Sequence, residues 1–375
     1  GLAPAEPPAA SVVLADGAGA VRGTYDGDDL ETAWDNSSAT RITLDGSSAR
    51  VDGPGAVASG NVVLITSGGT YVVSGTLDDG QLRVDALEPD TVRLVLNGVD
   101  IACSSSAPIY VLNAGKTVIT LATDTVNRMS DAAAAVGEDA APAEPNAAIY
   151  SHDDLSINGG GSLTVTGEYH NGIQCQDNLK LIGGEITVDA VNDGIRGRDS
   201  IAVRGGAIMV RSGGDALQSS NDSASDRGFV LIEGGRLKLE AALDGIQAET
   251  RIVVSGGILS IRSGSGHTYR PDEDEYDDRD EEESVGVPGP SARGLKAGVE
   301  VLLAGGTVEV DSFDDAVHCD GSVVIDGGDI ILASADDGIR AVESVHVSGG
   351  DLRITDCYEG IESAIVTIED GSVHV

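Results

Sequence analysis

The chain has 375 residues, with 62 Asp plus Glu against 23 Lys plus Arg, for a formal net charge of −39. That balance excludes a nucleic-acid binder, which needs a basic footprint to displace phosphate counterions; it also repels anionic membranes and acidic polymers unless a cation intervenes. With 51 Gly and only 3% aromatic residues, the core has to come from small aliphatic side chains between closely spaced turns, which points to a repetitive, Gly-punctuated, all-β chain.

Residues 1–30 open on GLAPAEPPAAS and read as a linker or mature N-terminal tail left by a removed signal or anchor. Nowhere is there an apolar run of about 18 residues, so no segment reads as membrane-spanning. Residues 31–375 read as one domain. Its first part, residues 40–130, carries strand-like runs such as ITLDG, QLRVDA and TVRLVLNGVDI with an irregular beat, as expected for an N-terminal cap and the first few coils. Two stretches, 131–145 and 265–291, interrupt the pattern as protruding loops. The acidic run 272–283 in the second reads as a solvated segment.

From about residue 146 a phrase of the form acid-Gly-aliphatic recurs: NGI at 171–173, DGI at 193–195, DAL at 215–217, DGI at 244–246, RGL at 293–295, DAV at 315–317, DGI at 337–339 and EGI at 359–361. The intervals are 22, 22, 29, 49, 22, 22 and 22 residues, so the two exceptions contain insertions of 7 and 27. A Gly-Gly pair keeps the same beat, from Gly183-Gly184 to Gly349-Gly350. Each period holds three short runs of alternating polarity ended by Gly, Asn or Asp, with no 3.6-residue apolar spacing. Three strands per coil of about 22 residues predict an all-β, right-handed parallel β-helix. Cys175 and Cys319 fall two residues after the inward Ile173 and Val317, several coils apart, and read as buried free thiols; Cys103 and Cys357 are left open.

Stacking places Asp193, Asp215 and Asp244 in one column, and Asp315, Asp337 and Glu359 in its continuation, with Asp314 and Asp336 immediately before the latter. A further acidic column contains Asp177 and Asp199. Carboxylates one coil apart repel by about 0.9 kcal/mol in water and several-fold more at a protein dielectric. Oxygen-only ligands without His or Cys favour calcium. The plainer reading is that Asp and Asn suit tight turns by bonding the local backbone. Three residues along lies a mixed outward column, Arg196, Gln218, Gln247, Lys296, His318 and Arg340. It reads either as a solvated face offsetting the carboxylates or as donors for sugar hydroxyls and uronate groups.

The phrases AWDNSSATRITLDGSS, GGTYVVSGTLDDGQLRVDA, VRLVLNGVDI, NAAIYSHDDLSINGGGSLTV, ARGLKAG and DDAVHCDGSVVIDGG, in this order over residues 33–328, carry a resemblance. The chain from about Trp34 resembles the secreted, polysaccharide-lyase-like β-helix family of carbohydrate-binding domain-containing proteins. That resemblance implies calcium at Asp-rich turns, here Asp193, Asp215, Asp244, Asp314, Asp315, Asp336 and Asp337. It also implies binding of cellulose or pectic acid rather than catalysis.

The leading expectation is therefore an extracellular or cell-surface, calcium-binding, non-catalytic protein whose partner is a polysaccharide. One alternative is a calcium-dependent lyase of uronic-acid polymers with Lys296 or Arg340 as base. Another is a structural adhesin stacking end to end: the beat places a next coil near residue 382, so the C-terminal coil is expected to meet a second copy or a downstream domain.

Overall fold

The computed structural model describes residues 25–87, 89–132, 144–267 and 291–375. The start of the expected tail, most of the insertion at 131–145 and most of that at 265–291, acidic run included, lie outside the described residues.

The described residues are almost wholly β; their one α-helical turn is Gly27–Leu30. Each regular period supplies three strands, for example Ile195–Gly197, Ser200–Val203 and Ala207–Ser212. Each strand pairs in parallel with its counterpart one period on: Ile195 with Leu217, Ile201 with Val230, Ile208 with Leu237. The 27-residue insertion leaves this register untouched, since Ile246 still pairs with Leu295. The first strands of successive rungs form a 13-stranded sheet. The second and third columns join in a 22-stranded sheet because long strands such as Glu300–Ser312 run through both. Antiparallel pairing occurs where Thr40–Gly46 meets Ser48–Asp52 and where Ala56–Ser59 meets Val62–Ile65, at the expected N-terminal cap.

Period-2 alternation turns every other side chain inward. Ile173, Ile195, Leu217, Ile246, Leu295, Val317 and Ile339 form one fully buried ladder, each contributing roughly 1.5–3 kcal/mol of apolar burial. The Gly-Gly beat has a steric cause. Gly206 has φ +95°, and a Cβ there would stand 2.8 Å from the Gly184 carbonyl of the preceding rung. The Gly of DGI has another: a Cβ on Gly194 would meet Val210 Cγ1 at 2.2 Å. All four cysteines are free, with Cys175 and Cys319 buried as expected, Cys103 buried too and Cys357 half-buried.

The end of the expected tail does not hang free. Residues 25–31 form a strap across the outer face of the second strand column, touching rungs from Arg93 to Glu233. Asp29 is fully buried, its carboxylate 2.9 Å from both Lys116 Nζ and Lys180 Nζ and accepting the Ser156 hydroxyl at 2.6 Å. Arg93 donates to the Glu31 and Asp28 carbonyls and Asn158 to those of Asp29 and Glu31. Tyr25 donates its hydroxyl to Glu233 at 2.6 Å under the guanidinium of Arg204.

Candidate functional site

The outward column of the first sheet is continuous in the paired register. Gln174, Arg196, Gln218, Gln247, Lys296, His318, Arg340 and Glu362 follow one another, one per rung. The expected polar column thus exists, lengthened by Gln174 and Glu362 at its two ends.

Beside it, the acid column is a buried ladder rather than a row of exposed turn residues. Exposure of its five aspartates ranges from 1% at Asp315 to 5% at Asp193, whereas Glu359 at the end of the column is exposed. Five members use Oδ1 to accept the backbone N–H of the column residue one rung on: Asn171 from Asp193 (3.0 Å), Asp193 from Asp215 (3.1 Å), Asp215 from Asp244 (2.9 Å), Asp244 from Arg293 (2.9 Å) and Asp315 from Asp337 (3.3 Å). The other oxygen turns to the residue three positions along. Asp193 faces Arg196 at 3.7 Å, Asp215 accepts from Gln218 at 2.7 Å, Asp315 meets His318 at 2.7 Å and Asp337 faces Arg340 at 3.7 Å. Lys296 reaches back one rung to Asp244 at 3.2 Å, because Arg293 holds the acid position of its own rung. The acid and polar columns are thus one mutually bonded system, and backbone N–H groups supply part of what offsets the stacked charge. The serine three residues before the acid completes the corner: Ser212, Ser312 and Ser334 donate to the carbonyls of Gly214, Asp314 and Asp336.

Burial still weighs on these carboxylates. The Asp215 carboxyl is pushed up to about 7, first by desolvation and then by Asp244 and Asp193 on either side. Desolvation also raises Asp193, Asp336 and Asp337, the last with help from Glu362 and Asp336.

A cleft of about 440 Å³ opens over the first run, lined by Asn192, Asp193, Arg196, Asp215, Gln218, Leu243, Asp244, Gln247, Ser291 and Lys296. Arg196, Gln218, Gln247 and Lys296 stand on strands, the three aspartates sit at the turns before those strands, and Leu243 supplies an apolar surface. Two three-acid sets, each with ligand oxygens within 4.8 Å of one another, occur among the described residues: Asp314, Asp315 and Asp336, and Asp337, Glu359 and Glu362. Both belong to the second run. In the first run, Asp193, Asp215 and Asp244 do not gather in this way, nor do Asp177 and Asp199 of the outer column. Asp199 is paired with Arg227 at 2.6 Å. Glu362 was not foreseen, although it follows Glu359 by the same three residues that separate Arg340 from Asp337. Arg293 lies 3.4 Å from Asp314 and 3.5 Å from Asp315, so it shares the carboxylates of the first set.

The family of carbohydrate-binding domain-containing proteins matches residues 59–338, from the last strand of the cap through the cleft and most of the second acid run. The chain belongs to this family. A carbohydrate-binding domain-containing protein of Acetivibrio thermocellus is 41% identical over 177 residues, 46% of this chain and 59% of the relative, so the chain spans about three fifths of that protein. A solved structure described as the polysaccharide lyase-like protein from C. thermocellum, a gadolinium derivative, is similar at 37% identity with a TM-score of 0.57. The similarity covers 60% of this chain and 90% of that one. In this carbohydrate-binding domain-containing chain, then, the likeness extends to the stacked strands that carry the cleft.

Proposed function

We propose that the chain is a non-catalytic, extracellular or cell-surface module that binds polysaccharide in the cleft between Arg196 and Lys296, on a right-handed parallel β-helix. The observation that carries this is the outward column itself. Four polar side chains on successive rungs line one open cleft, Arg196, Gln218 and Lys296 held by the acid column behind them and Gln247 by Gln218. Groups held on stacked strands at a spacing of about 4.8 Å suit a ligand that is itself a repeating chain. Calcium is part of the proposal. Asp314, Asp315 and Asp336 form an all-oxygen set for a hard cation, and the similar C. thermocellum structure is a gadolinium derivative, gadolinium being another hard, oxygen-seeking ion.

The lyase reading has in its favour the likeness to a protein described as polysaccharide lyase-like. Against it, Lys296 is engaged by Asp244, and Arg340 by Asp337 and Glu362. Pull-down on cellulose and on pectate, with calcium and with chelator, tests the proposal. Binding to at least one polymer without growth of unsaturated-product absorbance is expected, and no binding to either under calcium would overturn it.

A further inference from the structure

The outer face of the second strand column changes chemistry along its length. One outward column runs in paired register from Arg93 through Lys180 to Leu231, Val253, Leu302 and Val324. The acids of the strap lie over its basic start. The last four residues form an apolar cluster apart from the main core, because period-2 alternation sends Val230, Ile252, Val301 and Val323 inward and these four outward. A side chain pointing out of a sheet stays open to water unless another layer covers it. Val253 is nevertheless 0% exposed and Leu302 1%. Their cluster partners among the described residues, Phe229 and Ala304 included, all come from the same sheet, so the cover comes from elsewhere in the chain. The strap points at this place. Followed back from Glu31 to Tyr25, it passes from Arg93 to Arg204 and Glu233, and Glu233 lies two residues from Leu231. Residues 26–29 read DGDD, whereas residues 18–24 read AGAVRGT, with Arg22 their one charged residue. The segment thus turns from acidic to apolar where the face turns from basic to apolar. Three rung steps from Leu231 to Val324 cover about 14 Å, which about five extended residues span.

We propose that the apolar column Leu231, Val253, Leu302 and Val324 is the docking surface for residues 18–24 of the same chain, with Val21 as the anchor. The strap then becomes a latch that continues over the rungs carrying Gln218, Gln247, Lys296 and His318 in the first sheet. The proposal does not depend on what the cleft binds. Trypsin treatment of the folded full chain tests it, with mass spectrometry following the fragment that ends at Arg22. The protease needs the chain around the bond to leave the surface, so the rate of this cut tracks the undocked population. Wild type is expected to be cut at Arg22 at least about tenfold more slowly than a free peptide of residues 14–30. Val21→Ser is expected to speed the cut in the full chain by about tenfold, and Val21→Leu to keep it slow. Leu302→Glu changes the face instead of the segment and should speed the cut likewise, with the far-ultraviolet circular dichroism unchanged. A wild-type rate equal to that of the peptide overturns the proposal, and so does an unchanged rate in Val21→Ser. Should Leu302→Glu fail to fold, those two comparisons still decide.

Discussion

Replacing Asp29 by Asn isolates the electrostatic part of the N-terminal strap while keeping its shape. The carboxylate lies 2.9 Å from two buried ammonium groups and accepts from Ser156 and the Asp26 backbone. Desolvation alone would raise it, but these hydrogen bonds and the two lysines outweigh that and hold it at about 2, against 3.8 ordinarily. That depression corresponds to roughly 2 kcal/mol at neutral pH. Because the folded value is depressed, this contribution is present above pH 4 and is lost as pH falls from about 4 to about 2. Loss of the charge also strands Lys180 and leaves Lys116 with Asp26 alone, which would cost about 3–5 kcal/mol if both lysines stayed buried. The cheaper response is for the strap to lift and let both lysines reach water. Asp29→Asn is therefore expected to speed hydrogen exchange of the Asp28–Glu31 amides by about thirtyfold or more, while the amides of Ile195–Gly197 stay protected. Equal protection of the strap amides in variant and wild type would refute the account of what holds it.

Asp215→Asn should remove a pH dependence. A raised folded value means stability is fully present below pH 4 and is lost as pH rises through about 7, so the variant should melt above wild type at pH 8 and level with it at pH 4, by roughly 4 kcal/mol at most. Asn171, which donates to Gln174 at 2.6 Å in the equivalent place, shows that an amide fits there. Under the calcium proposal, chelation should lower the melting temperature of wild type and leave Asp336→Asn unmoved; calcium at about 100 times its Kd would add about 2.7 kcal/mol. Leu217→Ala, in the middle of the inward ladder, should cost about 2–5 kcal/mol in denaturant unfolding, and a cost below 1 would contradict its full burial.

The repeat was legible because two constraints act at fixed offsets within each period. A Gly is needed where rungs approach closely, as at Gly206 and Gly194, and an aliphatic side chain where the ladder turns inward, as at Ile195. The polar column was legible for the same reason, since parallel register aligns equal offsets. The bonding of the acid column was not. The bond from the Asp215 N–H to Asp193 Oδ1 joins residues 22 apart, and composition gives no sign that a backbone donor waits there. The strap was least legible: Asp29 finds Lys116 and Lys180 at separations of 87 and 151 residues, in a stretch whose Pro/Ala-rich opening suggested a free tail.

Register preserved across insertions has an evolutionary reading. With Ile246 still paired to Leu295 across 49 residues, a corner of the rung can accept foreign sequence without shifting the side chains of the outer column. Recognition length and loop content are then independent variables. Duplicating one 22-residue unit lengthens the groove by about 4.8 Å, whereas growth of a loop leaves its length unchanged. Under the carbohydrate-binding proposal, a lineage built on such a chain can match its footprint to longer or shorter glycans by counting units, and can diversify its loops separately.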